Sequence, residues 1–244
     1  MNYDLHLLPH QYDLYDSASP KSCMVCGRGA GKTFALSAIT MLDFIAGKNV
    51  LVGAQSIDSL HDNLWNEIQL RADEFGLRDR IEWHERPMRA YFNGATIYTG
   101  TYEAVDAKRS GTRVATMVLD ELFLAPVNIL SVWGPVMRDC GFSPRIVAGT
   151  TPRKGSMWNT LFSDPNCGWE IIRASTKDNP RITSEEFDLF NSGMLKKLAK
   201  GCRKVTQSIW ARKLCEALHN IDFSDYEPET VYLSREYELE YLTE

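Results

Sequence analysis

The sequence predicts an α/β protein in which a parallel β-sheet carries helices on both faces. Three observations support this prediction. Short apolar segments alternate with helical patterns from residue 22 to about residue 176. A glycine-rich loop joins the first apolar segment to the first helical one, and a later apolar segment ends in two acids, Asp120 and Glu121. Because parallel strands need a long crossover that is usually a helix, the alternation favours parallel pairing.

The first half of the chain supplies two strands and two helices. Residues 22–26 are apolar and precede a glycine cluster, which is typical of a buried strand. Residues 33–46 are apolar on nearly all faces and stop at Gly47, as in a buried helix. Residues 49–54 predict a second strand. Residues 56–75 predict a helix that ends at Gly76, with Ser56 or Asp58 as its N-cap.

The second half continues the alternation. Asn93-Gly94 within residues 91–98 predicts a hairpin, because this pair adopts the positive φ angles of a two-residue turn. Strands are predicted at residues 115–119, 145–149 and 169–175, with a helix at 126–139. The domains expected are therefore a core at 1–182, a small helical subdomain at 183–220 and an acidic tail or linker at 221–244.

Composition is that of a globular protein. The 244 residues are 44% hydrophobic and 24% charged, which argues against a disordered or fibrous chain. No apolar run reaches ~18 residues, so we expect no membrane span. The acidic N-terminus with an early proline does not look like a secretory signal. Six cysteines are too few for a disulfide scaffold, and we expect reduced thiols in a cytoplasmic protein.

The net charge of −5 conceals an asymmetry along the chain. Residues 221–244 hold eight acids and one base, which leaves 26 bases and 24 acids in residues 1–220. The acidic total therefore leaves room for a local basic surface that binds nucleic acid.

The strongest motif is the octapeptide Cys-Gly-Arg-Gly-Ala-Gly-Lys-Thr at residues 26–33. It has the spacing of a phosphate-binding loop, with cysteine in the first glycine position. Such a loop turns its backbone N–H groups toward a polyphosphate at the start of a helix. Lys32 is expected to contact the β- and γ-phosphates and Thr33 to hold Mg²⁺. The alternative is a chance glycine turn. The residues predicted to bind the nucleotide here are Cys26, Gly27, Gly29, Ala30, Gly31, Lys32 and Thr33.

Cys23 and Cys26 also form a Cys-x-x-Cys motif, which favours a zinc or redox site in some proteins. No second Cys/His pair lies nearby with ligand spacing. The phosphate loop already accounts for Cys26 as a small residue.

Two acids follow the apolar segment that ends at Leu119. Carboxyl ends of parallel strands face the same crevice as the loop after the first strand. Asp120 is therefore expected to bind Mg²⁺ through water, and Glu121 to orient and deprotonate the attacking water. The alternative is that the acids cap the next helix.

A further strand ends in hydroxyls, at Thr150 and Thr151 before Pro152. Either threonine is a candidate for contact with the γ-phosphate or the attacking water. A simple Thr-Pro turn is the equally open alternative.

Several short segments occur in a particular order over residues 5–220. They are Gln11 after Leu-Pro-His, the loop at 26–33, Asn93-Gly94-Ala95-Thr96-Ile97, Arg109-Ser110-Gly111, Asp120-Glu121, Gly149-Thr150-Thr151-Pro152 and Thr176-Lys177-Asp178-Asn179-Pro180. Together they resemble the ATPase domain of the large terminase subunit of tailed bacteriophages.

This resemblance implies an ASCE-type P-loop NTPase that uses ATP and Mg²⁺ to translocate double-stranded DNA in the host cytoplasm. The implied partners are the portal protein, the small terminase subunit and further copies of the chain in a ring, usually a pentamer. By the same resemblance Gln11 contacts adenine and Arg28 is the arginine within the loop. Arg109, with Arg113 as its rival, reaches the ATP of the neighbouring subunit. Thr150, Thr151 and Pro152 form the coupling motif.

The large terminase subunits continue into a nuclease domain of RNase H type, which would begin where this chain ends. We therefore expect no nuclease activity from these residues, and a separate nuclease domain or chain as a partner. The rival functions are a helicase-like translocase, a nucleotide-binding assembly module without turnover and, least favoured, a small-molecule kinase.

Candidate DNA contacts are basic clusters with no feature of base-specific recognition. A helical cluster of five bases spans residues 196–204, and its alternative is a solvated helix face. Arg86 with Arg89 and Arg153 with Lys154 are smaller candidates. The five histidines are scattered without ligand spacing, and no role is assigned to them.

Overall fold

The computed structural model describes residues 5–104, 112–137, 141–153 and 155–182. The chain divides into two units, Met1–Asn179 and Pro180–Glu244. The predicted helical subdomain, the acidic tail, Arg109, Lys154 and the basic cluster at 196–204 lie outside the described residues. The strands are β1 Lys21–Cys26, β2 Val50–Ala54, β3 Glu82–Glu85, β4 Met88–Phe92, β5 Ala95–Thr101, β6 Thr116–Asp120, β7 Arg145–Thr150 and β8 Glu170–Ala174. The α-helices are α1 Pro9–Asp16, α2 Lys32–Ile45, α3 Ile57–Ser59, α4 Asn66–Glu74, α5 Ile129–Trp133 and α6 Met157–Ser163.

The eight strands form one sheet in the order β3-β4-β5-β2-β6-β7-β1-β8. The six strands from β5 to β8 in this order run parallel. Strands β4 and β3 are added antiparallel at one edge. The predicted hairpin joins β4 to β5, and its turn residues Asn93 and Gly94 have φ angles of 47° and 84°. The α/β prediction is confirmed; the antiparallel pair β4–β5 is the predicted hairpin, and the sequence analysis did not include its extension by β3.

Helices cover both faces of the sheet, as predicted. Successive side chains of a strand point to opposite faces of the sheet, so each strand contributes side chains to two separate cores. Met24 and Val52 belong to a core that they share with residues of α1, α2 and α4. Val25 and Leu51 belong to the other core, with residues of α5 and α6.

Two predicted helices differ in detail. Residues 56–75 are helical, but a π-helical turn at Leu60–Trp65 separates α3 from α4. Ser56 is the N-cap, since its side chain accepts a hydrogen bond from the Ser59 N–H. The predicted helix at 126–139 is only the short α5 followed by a 3-10 turn, Gly134–Val136. Pro135 lacks the N–H that an α-helix would need there.

Helices α1 and α6 and strand β3 were not predicted. β3 reads Glu-Trp-His-Glu and is mostly exposed, so it has no apolar pattern. Among the residues described, no helix is both long and apolar enough to cross a membrane.

Candidate active site

The glycine-rich loop joins β1 to α2, as the sequence predicts. β1 ends at Cys26 and α2 begins at Lys32. Gly29 and Gly31 have φ angles of 78° and 84°, a region that L side chains rarely adopt. These glycines let the chain reverse between the strand and the helix. The N-terminal end of α2, where free N–H groups favour anions, therefore lies at the loop.

Two side chains of α1 hold the last residues of this loop. The Gln11 side-chain amide donates a 3.0 Å hydrogen bond to the Gly31 carbonyl, and its oxygen accepts from the Leu8 N–H at 2.9 Å. The His10 Nε2 lies 2.9 Å from the Ala30 carbonyl oxygen. Both side chains are buried. Sequence analysis gave His10 no role, because its partner is a backbone atom that leaves no motif.

Two side chains after β8 hold the earlier residues of the loop. The Thr176 hydroxyl donates to the Arg28 carbonyl at 2.7 Å, and the Asn179 amide donates to the Gly29 carbonyl at 2.6 Å. The Arg28 side chain is exposed. The Arg28 side chain is therefore accessible to solvent, and no position relative to a phosphate follows from it.

Lys32 lies between the loop and an acid from a distant strand. Its side chain is only 7% exposed. The Nζ donates to the Gly27 carbonyl at 3.1 Å and to the Cys26 carbonyl at 3.4 Å. The same Nζ lies 4.0 Å from the Glu121 Oε1. The structure thus brings together the lysine and the acid that the sequence analysis paired.

The two acids meet the loop because of the strand order. β7 lies between β1 and β6, so the carboxyl end of β6 opens toward the loop that follows β1. Asp120 is the last residue of β6 and is buried, with 4% of its surface exposed. Burial, together with the neighbouring Glu121 carboxylate, raises the pKa of Asp120 to about 6. Lys32 and a hydrogen bond from the Glu121 N–H oppose this rise.

Glu121 adopts a backbone conformation that is unusual for a side chain of its size. Its φ is 48° and its ψ is 55°, the left-handed region, which costs of order 1 kcal/mol or more. The turn aims its carboxylate at the end of β7. Oε2 accepts from the Thr151 N–H and Oε1 from the Thr151 hydroxyl, each at 3.0 Å. Strain of this kind concentrates at functional sites, where surrounding contacts maintain it.

The two threonines after β7 have different contacts. Thr151 is half-buried and meets Glu121 directly. Thr150 is fully buried, and its hydroxyl accepts from the Phe123 N–H at 3.1 Å. Thr150 thus joins β7 to the segment after Glu121, whereas only Thr151 reaches the candidate catalytic acid.

Tyr102 fastens the end of β6 from the other side. Its buried hydroxyl donates to the Asp120 carbonyl at 2.6 Å and lies 3.3 Å from the Gly53 carbonyl. Burial raises the pKa of Tyr102, so this hydroxyl stays protonated and remains a donor. Sequence analysis did not include this residue.

Asp120 and Thr33 are the kind of residues that suit Mg²⁺. This ion prefers oxygen ligands and usually combines one or two protein oxygens with waters and substrate phosphates. Thr33 is half-buried at the second position of α2, and Asp120 is a buried carboxylate. Within the described ranges no group of three or more His, Cys, Asp or Glu residues could hold a metal alone. The residues fit an ion that arrives with a nucleotide.

The Cys-x-x-Cys pair is divided between the two faces of the sheet. Cys23 belongs to one core and Cys26 to the other. Burial raises the pKa of Cys23, and it raises that of Cys26 to about 11. Both groups are therefore neutral thiols that face apart, an arrangement that does not suit a shared zinc ion or a disulfide.

The structure describes only some of the arginines that the sequence analysis singled out. Arg109 is outside the described residues, and its rival Arg113 is exposed. Arg86 is exposed between β3 and β4, and the Arg89 guanidinium lies over the Tyr98 ring, 5.4 Å from its centroid. Arg86 and Arg89 therefore lie at the antiparallel end of the sheet.

Comparison with known families decides the relationship of this chain. The family model "Terminase large subunit, T4likevirus-type, N-terminal" matches residues 23–210. The chain belongs to this terminase family. No curated protein matches the chain.

Solved structures of phage terminases share the fold. The large terminase of a thermophilic bacteriophage, in complex with ADP, has a TM-score of 0.64 at 16% identity, over 76% of this chain and 50% of that one. The large terminase ATPase domain of Thermus phage P74-26 has a TM-score of 0.57 at 15% identity, over 86% and 92%. The N-terminal domain of the bacteriophage phi29 DNA packaging ATPase has a TM-score of 0.51 at 18% identity, over 70% and 97%.

The solved structures differ in how much of their own length is matched. The chain spans about half of the length of the large terminase that was solved with ADP. It also spans nearly all of the P74-26 ATPase domain. At such identities the likeness establishes the fold that this terminase chain shares with them.

Proposed function

We propose that this chain is the ATP-hydrolysing domain of a viral DNA-packaging motor, which drives double-stranded DNA into a preformed capsid. Its membership in the terminase family supports this function. The observation that carries the proposal is the 4.0 Å approach of the Lys32 Nζ to the Glu121 carboxylate. A phosphate-binding lysine and a candidate general base then face one cleft.

The loop and α2 form the binding part of the site. ATP places its β- and γ-phosphates against the N–H groups of residues 29–32 and against Lys32. Gln11, which already contacts the Gly31 carbonyl, is the residue for adenine recognition. The large terminase of the thermophilic bacteriophage was solved with ADP and with ATP-γ-S, which supports a nucleotide as the ligand of this chain.

The acids form the chemical part. Thr33 and Asp120 would hold Mg²⁺, which would supply neutralisation of the phosphate charge. Glu121 takes the proton of the attacking water, and its two bonds to Thr151 hold the carboxylate in one orientation. Loss of the γ-phosphate would then change the position of Glu121 and, through these two hydrogen bonds, that of Thr151, which follows β7. This gives the coupling motif a direct contact with the base.

The assembled motor contains further parts. We propose a ring of copies, pentameric by family resemblance, in which Arg109 of one subunit completes the ATP site of the next, as arginine fingers do in related chemistry. Portal protein, small terminase subunit and DNA are its partners, and a nuclease domain or chain would cut the DNA. A nucleotide-binding module without turnover is the rival that the next experiment tests.

The test compares Lys32→Ala and Glu121→Gln with native chain for ATP binding and ATP turnover. Glutamine keeps both partners at Thr151, because its oxygen accepts from the N–H and its amide donates to the hydroxyl. We expect Glu121→Gln to bind ATP normally and to hydrolyse it at least about 100-fold more slowly. Lys32→Ala should lose binding.

The control is Glu85→Gln, which removes an exposed acid from β3. It should hydrolyse ATP at the native rate. Native turnover in Glu121→Gln would show that this residue is not the base. Native ATP binding in Lys32→Ala would refute the proposed nucleotide site.

A further inference from the structure

Four consecutive carbonyl groups of the loop, those of residues 28–31, each accept a hydrogen bond from a side chain elsewhere in the fold. His10 and Gln11 hold the carbonyls of residues 30 and 31. Thr176 and Asn179 hold those of residues 28 and 29. The holding groups come from two segments that lie about 20 and 150 residues away along the chain. We call these four side chains the carbonyl grip.

The carbonyl grip determines where the loop N–H groups point. In a planar trans peptide the C=O of one residue and the N–H of the next point in opposite directions. A bond to the carbonyl of residue 28 therefore fixes the N–H of residue 29, and the same holds up to the N–H of Lys32. The grip is outside the loop, so these N–H groups are directed inward, where an anion would bind. The Ala30 N–H also makes a long 3.5 Å contact with the Gly27 carbonyl.

The loop glycines are placed to admit the grip. A Cβ at Gly27 would collide with the Thr176 hydroxyl oxygen, and a Cβ at Gly31 would collide with the Gln11 amide nitrogen. Gly27 has no positive φ that would call for glycine. The approach of Thr176 is thus the reason that the structure gives for glycine at this position.

The segment that carries Thr176 has its own local hydrogen bonds. Thr176–Asp178 is a 3-10 turn with a capping box. The Ser175 side chain accepts from the Lys177 N–H at 3.2 Å, and Asp178 accepts from the Ser175 N–H at 2.6 Å. Reciprocal capping of this kind fixes the entry of the turn. Thr176 therefore reaches the loop from a preorganised support.

We propose that Thr176 and Asn179 are positioning residues for the nucleotide, which set the loop N–H groups in their phosphate-binding orientation. This role rests on the proposed ATP site. Neither side chain touches the phosphates. Each acts through a carbonyl whose peptide partner N–H does.

The experiment measures the Kd of ATP by titration calorimetry and the thermal midpoint of the nucleotide-free full chain. Thr176→Val removes the hydroxyl with little change of shape, whereas Thr176→Ser keeps it. Thr99→Val is the matched control, because it removes a hydroxyl that donates to the Met88 carbonyl in the distant hairpin. Asn179→Ala is paired with Asn166→Ala, whose side chain is exposed.

We expect Thr176→Val and Asn179→Ala each to weaken ATP binding about fivefold, as loss of one neutral hydrogen bond does. Thr176→Ser and both controls should bind within about twofold of native. The nucleotide-free thermal midpoint of Thr176→Val should match that of Thr99→Val. A role in general stability would instead lower the midpoint of Thr176→Val below that of Thr99→Val and leave the Kd of ATP unchanged.

Lys32→Ala in the same titration separates the two proposals. If Lys32→Ala abolishes binding while Thr176→Val and Asn179→Ala bind like native, the positioning role is refuted and the ATP site remains. If Lys32→Ala binds like native, the ATP site is refuted, and the positioning role falls with it.

Discussion

Asp120→Asn should stabilise the nucleotide-free protein at neutral pH, although it removes a candidate Mg²⁺ ligand. The pKa of Asp120 rises from 3.8 to about 6 on folding, chiefly because burial disfavours its charge. The folded chain therefore keeps a proton that the unfolded chain releases between about pH 4 and pH 6. The contribution of Asp120 to the free energy of unfolding must then fall as the pH rises through this window.

The magnitude follows from this pKa difference. One pKa unit corresponds to ~1.4 kcal/mol, so the raised pKa of Asp120 lowers the free energy of unfolding by about 3 kcal/mol above pH 7 and by about half as much at pH 5. Asparagine removes this cost. Its side-chain oxygen still accepts from the Glu121 N–H, which Asp120 binds at 3.1 Å. The fold around the strand end should therefore survive.

The assay is urea unfolding of native and Asp120→Asn chains at about pH 5 and about pH 7.5, with EDTA and without nucleotide. The advantage of asparagine should roughly double between these two pH values, to about 3 kcal/mol at the higher one. Asp79→Asn, at an exposed position, is the control and should differ little from native at either pH. An advantage of asparagine that does not change with pH, or that shrinks at the higher pH, would refute the reasoning.

The remaining predictions concern the loop, the core and the assembled motor. Gly27→Ala should weaken ATP binding severalfold in the native background, because the new Cβ displaces the Thr176 hydroxyl. In a Thr176→Ala background the same substitution should weaken binding little further. A double-mutant cycle by calorimetry measures the difference. Gly53→Ala should destabilise by about 1–3 kcal/mol in urea unfolding, since its Cβ would lie 2.6 Å from the Trp133 ring. Arg109→Ala should leave ATP binding by the monomer intact and abolish turnover that depends on assembly. Equal loss in a dilute monomer would contradict a role between subunits.

The parts of the fold that the sequence predicts are those with a local signal. Asn93-Gly94 specifies its turn through backbone preference alone, and the structure has both positive φ angles. Ser56 caps its helix through a neighbour three residues away. Lys32 and Glu121 were paired by a rule about strand ends, which needs only the alternation of elements.

What the sequence does not predict depends on contacts between side chains and distant backbone. His10 meets a carbonyl 20 residues away and Thr176 one that is 148 residues away. Every residue has a carbonyl, so such a pairing leaves no pattern in residue types. β3 was missed for a different reason, because an exposed edge strand needs no apolar alternation.

The division of Cys23 and Cys26 between the two faces of the sheet has a practical consequence. Thiolates, rather than thiols, react with alkylating and oxidising reagents, and the raised pKa of both groups keeps them protonated at neutral pH. The half-buried Cys167 is the more accessible of the three cysteines in the described part of the chain. Among these three cysteines, a maleimide dye should therefore label Cys167 in preference to the two that flank the candidate phosphate loop, so a dye could be attached in the described part of the chain without modifying that loop.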